Sequence, residues 1–117
     1  MKSNNLNYIE FKSNDLEKTK TFYSKAFGWK FTDYGPTYTA FENRGLAGGF
    51  EKTDEAILNG VLVILVHDDL AIALQNVKDA GGKIVKEIFS FPGGSRFQFT
   101  DPSGNELAVW KENESAE

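Results

Sequence analysis

The feature that most constrains this chain is an internal repeat: the plan of the first half returns about fifty-four residues later. Asn14-Asp15-Leu16 opens one helical stretch that closes near Ala26-Phe27-Gly28, and Asp68-Asp69-Leu70 opens another that closes at Ala80-Gly81-Gly82. The chain is therefore two copies of one unit. Paired units leave a cleft between them, and the residues facing it can be compared copy by copy.

Within the first copy, Asn7 to Lys12 alternates, with Ile9 and Phe11 on one face and Tyr8, Glu10 and Lys12 on the other, as a half-buried strand does. The following helix has a capping-box start, Asn14 with Glu17 three residues on, and sets Leu16, Tyr23 and Phe27 on one side before Gly28 stops it. Strands are predicted at Trp29–Asp33, Thr37–Glu42 and Leu46–Glu51, separated by the turn signals Tyr34-Gly35-Pro36 and Asn43-Arg44-Gly45. The first module therefore reads β-α-β-β-β over about residues 6–51, with a polar link at 52–60.

The second module, about residues 61–111, repeats the order. Val61–Val66 is an apolar strand, and Leu70, Ala73, Leu74 and Val77 form the i, i+3, i+4, i+7 stripe of a core-facing helix. Strands follow at Lys83–Ser90, Ser95–Thr100 and Glu106–Trp110, with Phe91-Pro92-Gly93-Gly94 and Asp101-Pro102-Ser103-Gly104-Asn105 as turns. The whole chain, 1–117, is one domain.

Composition narrows the function classes. A chain of 117 residues with 40% hydrophobic content is long enough to bury roughly two thirds of the surface it exposes when unfolded. Without cysteine there is neither a disulfide framework nor a thiolate metal site. A net charge of -4 disfavours binding to a phosphate backbone. The longest apolar run, Val61 to Val66, is too short for a bilayer. Met1-Lys2-Ser3-Asn4-Asn5 does not resemble a signal peptide, so a cytoplasmic location is expected, with neither nucleic acid nor membrane as partner.

The doubled unit, the run from Asp15-Leu16 through Phe22-Tyr23 to Phe27-Gly28-Trp29, and the run Phe99-Thr100-Asp101-Pro102-Ser103-Gly104-Asn105-Glu106-Leu107 together resemble the glyoxalase, bleomycin-resistance and extradiol-dioxygenase superfamily, the vicinal oxygen chelate proteins. The resemblance covers nearly the whole chain. It implies an α+β fold of two tandem βαβββ modules forming a cupped mixed sheet, with helices on the outer side and a ligand in the concavity. The site is often completed by a second subunit, so a homodimer is expected.

The resemblance also implies a divalent metal held by four side chains, one from the first and one from the last strand of each module. Carried over singly, those positions fall on Tyr8, Leu62 and Ala108, and, by matching Gly45 to Gly104, on Gly49. No position keeps a usual metal ligand, so no metal or other cofactor is expected. Counting agrees: a two-His, one-carboxylate iron site needs two histidines, and only His67 is present. Carboxylates alone suffice for Mg²⁺ or Mn²⁺, which leaves Glu10 and Glu51 open as a displaced set.

Glu10 is the candidate base or cation partner, since a carboxylate in a half-apolar cleft acts either way according to its surroundings. Arg96 shares a face with Gln98, opposite Phe97 and Phe99, and suits an anionic ligand. Leu62, Ile64 and Trp110 give an apolar, aromatic floor that, with Tyr8, encloses a ring or aliphatic body. The expected ligand set is Tyr8, Glu10, Glu51, Leu62, Ile64, Arg96 and Trp110. The reading that follows is metal-independent binding of a small organic molecule. The alternative is a lyase, isomerase or dioxygenase-like enzyme with a displaced, carboxylate-based divalent metal site.

Overall fold

The computed structural model describes residues 6–42 and 45–113. In chain order these form β1 (Tyr8–Ser13), α1 (Leu16–Phe27), β2 (Phe31–Asp33), β3 (Tyr38–Phe41), β4 (Ala47–Lys52), β5 (Val63–Val66), α2 (Leu70–Asp79), β6 (Lys83–Phe91), β7 (Gly94–Thr100) and β8 (Glu106–Glu112). The order is βαβββ twice, as the repeat requires. Two four-stranded mixed sheets result, β1-β4-β3-β2 and β5-β8-β7-β6, each with its first strand parallel to its last. The lead-in Met1 to Asn5 and the Asn43-Arg44 part of one predicted turn lie outside the described residues.

Both helices start and stop for local reasons. Asp15, in extended backbone, caps α1 by accepting from the Lys18 N–H, and Asp69 does the same for α2 from Ile72. The expected Asn14 cap is thus displaced by one residue. Asn14 instead sends its side-chain amide to the carbonyls of Thr53 and Glu55, tying the inter-module link to the helix start. Gly28, at φ 73°, ends α1 in the left-handed region, where a Cβ would be strained. The repeat extends to the residue before each cap: Ser13 Oγ accepts from the Asp15 N–H at 3.1 Å, and His67 Nδ1 accepts from the Asp69 N–H at 2.9 Å.

The helix-covered faces of the two sheets share one core. Phe22, Tyr23, Trp29, Phe41 and Phe50 of the first module are continuous with Val77, Phe97, Phe99, Leu107 and Val109 of the second. Phe22 and Phe27 lie 6.0 and 5.8 Å, centre to centre, from Phe99, and α1 packs on α2. Each fully buried Phe contributes about 1.5–3 kcal/mol, so neither module is complete without the other.

The Asp101–Asn105 turn pins this junction. Asp101 accepts from the Ser103 and Asn105 N–H groups, from the Asn105 amide and, at 2.9 Å, from the buried Tyr23 hydroxyl. Asn105 also donates to the Lys12 carbonyl at 2.8 Å, and Ser103 Oγ accepts from the Asn14 N–H at 2.9 Å. Burial pushes the Asp101 carboxyl above its ordinary pKa, against the pull of these donors, and pushes the Tyr23 hydroxyl well up beside it. The motif that carried the family resemblance is therefore an inter-module clasp.

Most strand ends fall within one or two residues of the sequence reading, and three of the differences matter for the core and the site. β2 begins at Phe31, because Trp29 turns into the core and stacks on Tyr23 with centres 4.8 Å apart. β5 begins at Val63, leaving Val61 exposed and Leu62 ahead of the strand. β6 runs on through Phe91, which pairs with Gly94, so the turn is only Pro92-Gly93, with Gly93 at φ 105°.

Candidate functional site

Each sheet keeps one face free of helices, and the alternation of its strands decides what stands there. On the first module the free face carries Tyr8, Glu10 and Lys12 of β1, which pair with Ala47, Gly49 and Glu51 of β4; Glu51 and Gly49 pair in turn with Tyr38 and Ala40 of β3. On the second it carries Ile64 and Val66 of β5, which pair with Ala108 and Trp110 of β8; these pair in turn with Gln98 and Arg96 of β7. Phe97 and Phe99 face the core, as expected. Tyr8 is 46% exposed, Ile64 45% and Val66 70%. No helix covers these faces, and their β1 and β5 side chains are exposed, whereas Ala108 and Gln98 in the middle of the second are buried.

The first face is polar and internally paired. The Tyr8 and Tyr38 hydroxyls meet at 2.5 Å. The Lys12 ammonium bonds Glu51 and lies 3.4 Å from Glu10, and these carboxylates, Glu51 first, raise its pKa. Burial and the bond to Tyr8 push the Tyr38 hydroxyl upward in turn. The predicted residues Tyr8, Glu10 and Glu51 are thus brought together, with Lys12 between the two carboxylates. The two carboxylates share this one cation.

The second face is apolar and aromatic. Trp110 is flanked by Val66 and Arg96 and stacks on Phe91, with centres 6.5 Å apart. Gln98 donates to Glu106 at 2.7 Å. Ile64, Val66 and Trp110 also border a groove of about 900 Å³ that Ile9, Phe11, Phe27 and Trp29 help to line. Leu62, outside β5, does not border that groove. No hydrogen bond, ion pair or ring contact among the described residues joins the Tyr8-Glu10-Glu51 group to Ile64, Arg96 and Trp110. The single-site set expected from the sequence is two clusters in one chain.

Sequence reasoning missed Phe89 and Phe91 on the second face. A regular ladder continued from Lys83 opposite Thr100 would set Glu87 opposite Arg96. Two register shifts in β6, each adding a residue, set Phe89 there instead. Reading Pro92-Gly93 as a two-residue turn would have revealed this, since pairing then runs back from Phe91-Gly94 to Phe89-Arg96.

A scan against family models matches residues 5–109 to the Glyoxalase/Bleomycin resistance protein/Dioxygenase superfamily. The chain belongs to this superfamily. It is 31% identical to a glyoxylase-like domain-containing protein of Didymella fabae, over 86% of this chain and 88% of that one. Its fold is similar to that of a family enzyme from Burkholderia phytofirmans PsJN, with TM-score 0.81, 15% identity and coverage of 93% and 99% of the two chains. It is also similar to that of an antibiotic-binding protein from Streptomyces sp. CB03234, with TM-score 0.73, 20% identity and coverage of 97% and 99%.

The positions onto which the resemblance carries metal ligands include residues that do not fit a metal. Gly49 and Ala108 have no donor atom. A Cβ built on Gly49 would lie 2.6 Å from the Tyr38 hydroxyl oxygen, 2.8 Å from a Tyr38 ring carbon and 2.7 Å from the Thr39 carbonyl oxygen. The space into which a ligating side chain would project is filled by a phenol ring. Among the described residues, no group of three or more His, Asp or Glu side chains is placed to hold a metal ion. No described helix is long and apolar enough to cross a membrane.

Proposed function

We propose that this member of the superfamily binds a small organic molecule through the aromatic face around Trp110, without a metal, and that a second copy of the chain closes the site with the Tyr8-Glu10-Lys12 face. The observation that carries this reading is the exchange at Gly49: a ring stands where a donor would, and the opposite module presents aromatic rather than ligating side chains. An uncovered polar face and an uncovered aromatic face in one chain are what two copies need to form two equivalent, composite sites. The Lys12 ammonium between Glu10 and Glu51 stands where a cation bound by the two carboxylates would, which weighs against a displaced carboxylate metal set and with it against the lyase, isomerase or dioxygenase-like alternative. The antibiotic-binding neighbour supports the ligand class only by likeness of fold.

The test combines thermal shift with light scattering. Mn²⁺, Ni²⁺ and Zn²⁺ are expected to leave Tm unchanged, whereas a planar aromatic ligand at a hundred times its Kd adds about 2.7 kcal/mol, an effect lost in Trp110→Ala. Light scattering should report twice the chain mass. A saturable rise in Tm with metal that disappears in Glu10→Gln would refute the metal-free reading, and a monomer at micromolar concentration would refute the composite site.

A further inference from the structure

Among the described residues, Arg96 Nε is the one buried side-chain nitrogen or oxygen left without a hydrogen-bond partner. No hydrogen bond or ion pair among the described residues reaches the Arg96 guanidinium. Its surroundings are aromatic: the guanidinium carbon lies 5.4 Å from the centre of the Phe89 ring and 5.6 Å from that of Phe91, which stacks in turn on Trp110. Such rings hold a cation in place by their negative faces but do not neutralise it. Buried N–H donors are rarely left unpaired, and one that is points to a group supplied from outside.

The neighbouring charges sharpen this. The regular ladder that would bring Glu87 opposite Arg96 is broken by the two extra residues in β6, which substitute Phe89. On β8, Glu112 stands two residues from Trp110, opposite Gly94, with no ion pair to Arg96 among the described residues, and Glu106, four residues from Trp110 in the other direction, accepts from Gln98. Glu10 and Glu51 are held by Lys12 on the other module. A second cation, Lys86, stands on the same face opposite Gln98, its Nζ 5.1 Å from the centre of the Phe89 ring. Arg96 thus stands without an ion pair among Phe89, Phe91 and Trp110, on a face where Lys86 is a second cation and Glu106 and Glu112 are carboxylates.

From this we infer that the Trp110 face selects planar organic anions. An aromatic carboxylate sets its ring against Trp110 and Phe91 and its carboxylate on Arg96, where a planar guanidinium offers paired donors. The inference rests on the proposed small-molecule function and adds the charge and shape of the ligand. Because the net charge is negative, general attraction by the protein would disfavour an anion, so a preference for one must come from the local site.

The experiment is calorimetric titration of the full chain with three probes of one shape, 2-naphthoate, 2-naphthamide and 2-naphthylmethylammonium, repeated on Arg96→Lys and Arg96→Met. The expected result is that naphthoate binds about tenfold or more tightly than the amide, as a charge-assisted bond commands, and that the ammonium probe binds most weakly. Arg96→Met should bring naphthoate to the level of the amide, with Arg96→Lys between, because lysine keeps the charge and loses the fork. Equal binding of the three probes would overturn the anion selectivity and leave the small-molecule reading standing. Binding by none would overturn both. Loss of the dimer in Arg96→Met without any charge preference in the parent protein would place Arg96 in a subunit contact and overturn the inference.

Discussion

Gly49→Ala tests whether Tyr38 has closed the position from which a metal ligand would project. The added Cβ meets the Tyr38 ring and hydroxyl at 2.8 and 2.6 Å and the Thr39 carbonyl at 2.7 Å, well inside van der Waals contact, so the ring and the β3 backbone must both shift. Overpacking of this kind costs typically about 1–3 kcal/mol, offset by about 0.4–1 kcal/mol from the less flexible unfolded chain. The net expectation is about 1–2 kcal/mol, or a Tm lowered by roughly 4–8 °C in a domain of this size. Urea denaturation and thermal scans measure it. Gly60→Ala is the control, because nothing lies within 4 Å of the new methyl group, and it should stay within about 0.5 kcal/mol of the parent. Tyr38→Ala combined with Gly49→Ala should recover part of the loss, with a coupling of about 0.5 kcal/mol or more. It should not recover all of it, since the Thr39 carbonyl remains. A Gly49→Ala protein as stable as the parent, or a double substitution that behaves additively, would refute the argument that the ring occupies the donor's place.

Tyr23→Phe removes the hydroxyl that clasps Asp101 across the modules and should cost about 1.5–3 kcal/mol, the range for hydrogen bonds to charged groups, measured as a lower urea midpoint. Asp101 itself should make stability depend on pH. Its folded pKa lies above the ordinary 3.8 because burial disfavours the charge, so between those values the folded state holds more protons than the unfolded one. The contribution to stability is therefore greatest in acid and falls as pH rises through that window; Asp101→Asn should flatten this part of the stability profile. Asp15→Ala, removing the α1 cap bonded to Lys18, should lower stability by about 0.5–2 kcal/mol, and Asp69→Ala should match it through the equivalent bond to Ile72.

Much of the fold was legible from the order of elements because each signal was local. Helix ends are written in short-range chemistry, an aspartate before and a glycine after, and strand faces in alternation of period two. The assignment of the α1 cap to Asn14 erred by one residue because Asn14 and Asp15 are both competent caps, and the choice was made by distant carbonyls at Thr53 and Glu55. The candidate site was less legible. Tyr8, Glu10 and Glu51 were correctly placed on one face, with Lys12 by the same alternation, yet alternation alone does not set Lys12 between the carboxylates. Its pairing with Glu51 spans 39 residues.

The sequence by itself determined the doubled βαβββ plan, the superfamily, and the lack of donors at Gly49 and Ala108, because these follow from residue identity and short-range spacing. Only the tertiary structure decided that the free faces form separate polar and aromatic clusters, that Tyr38 fills the space beside Gly49, and that Arg96 lies against Phe89 rather than opposite Glu87. The physical reason is register. A strand's alternation says which side chains share a face, but which residue stands opposite which depends on bulges, turn length and the packing of partners far away in the chain.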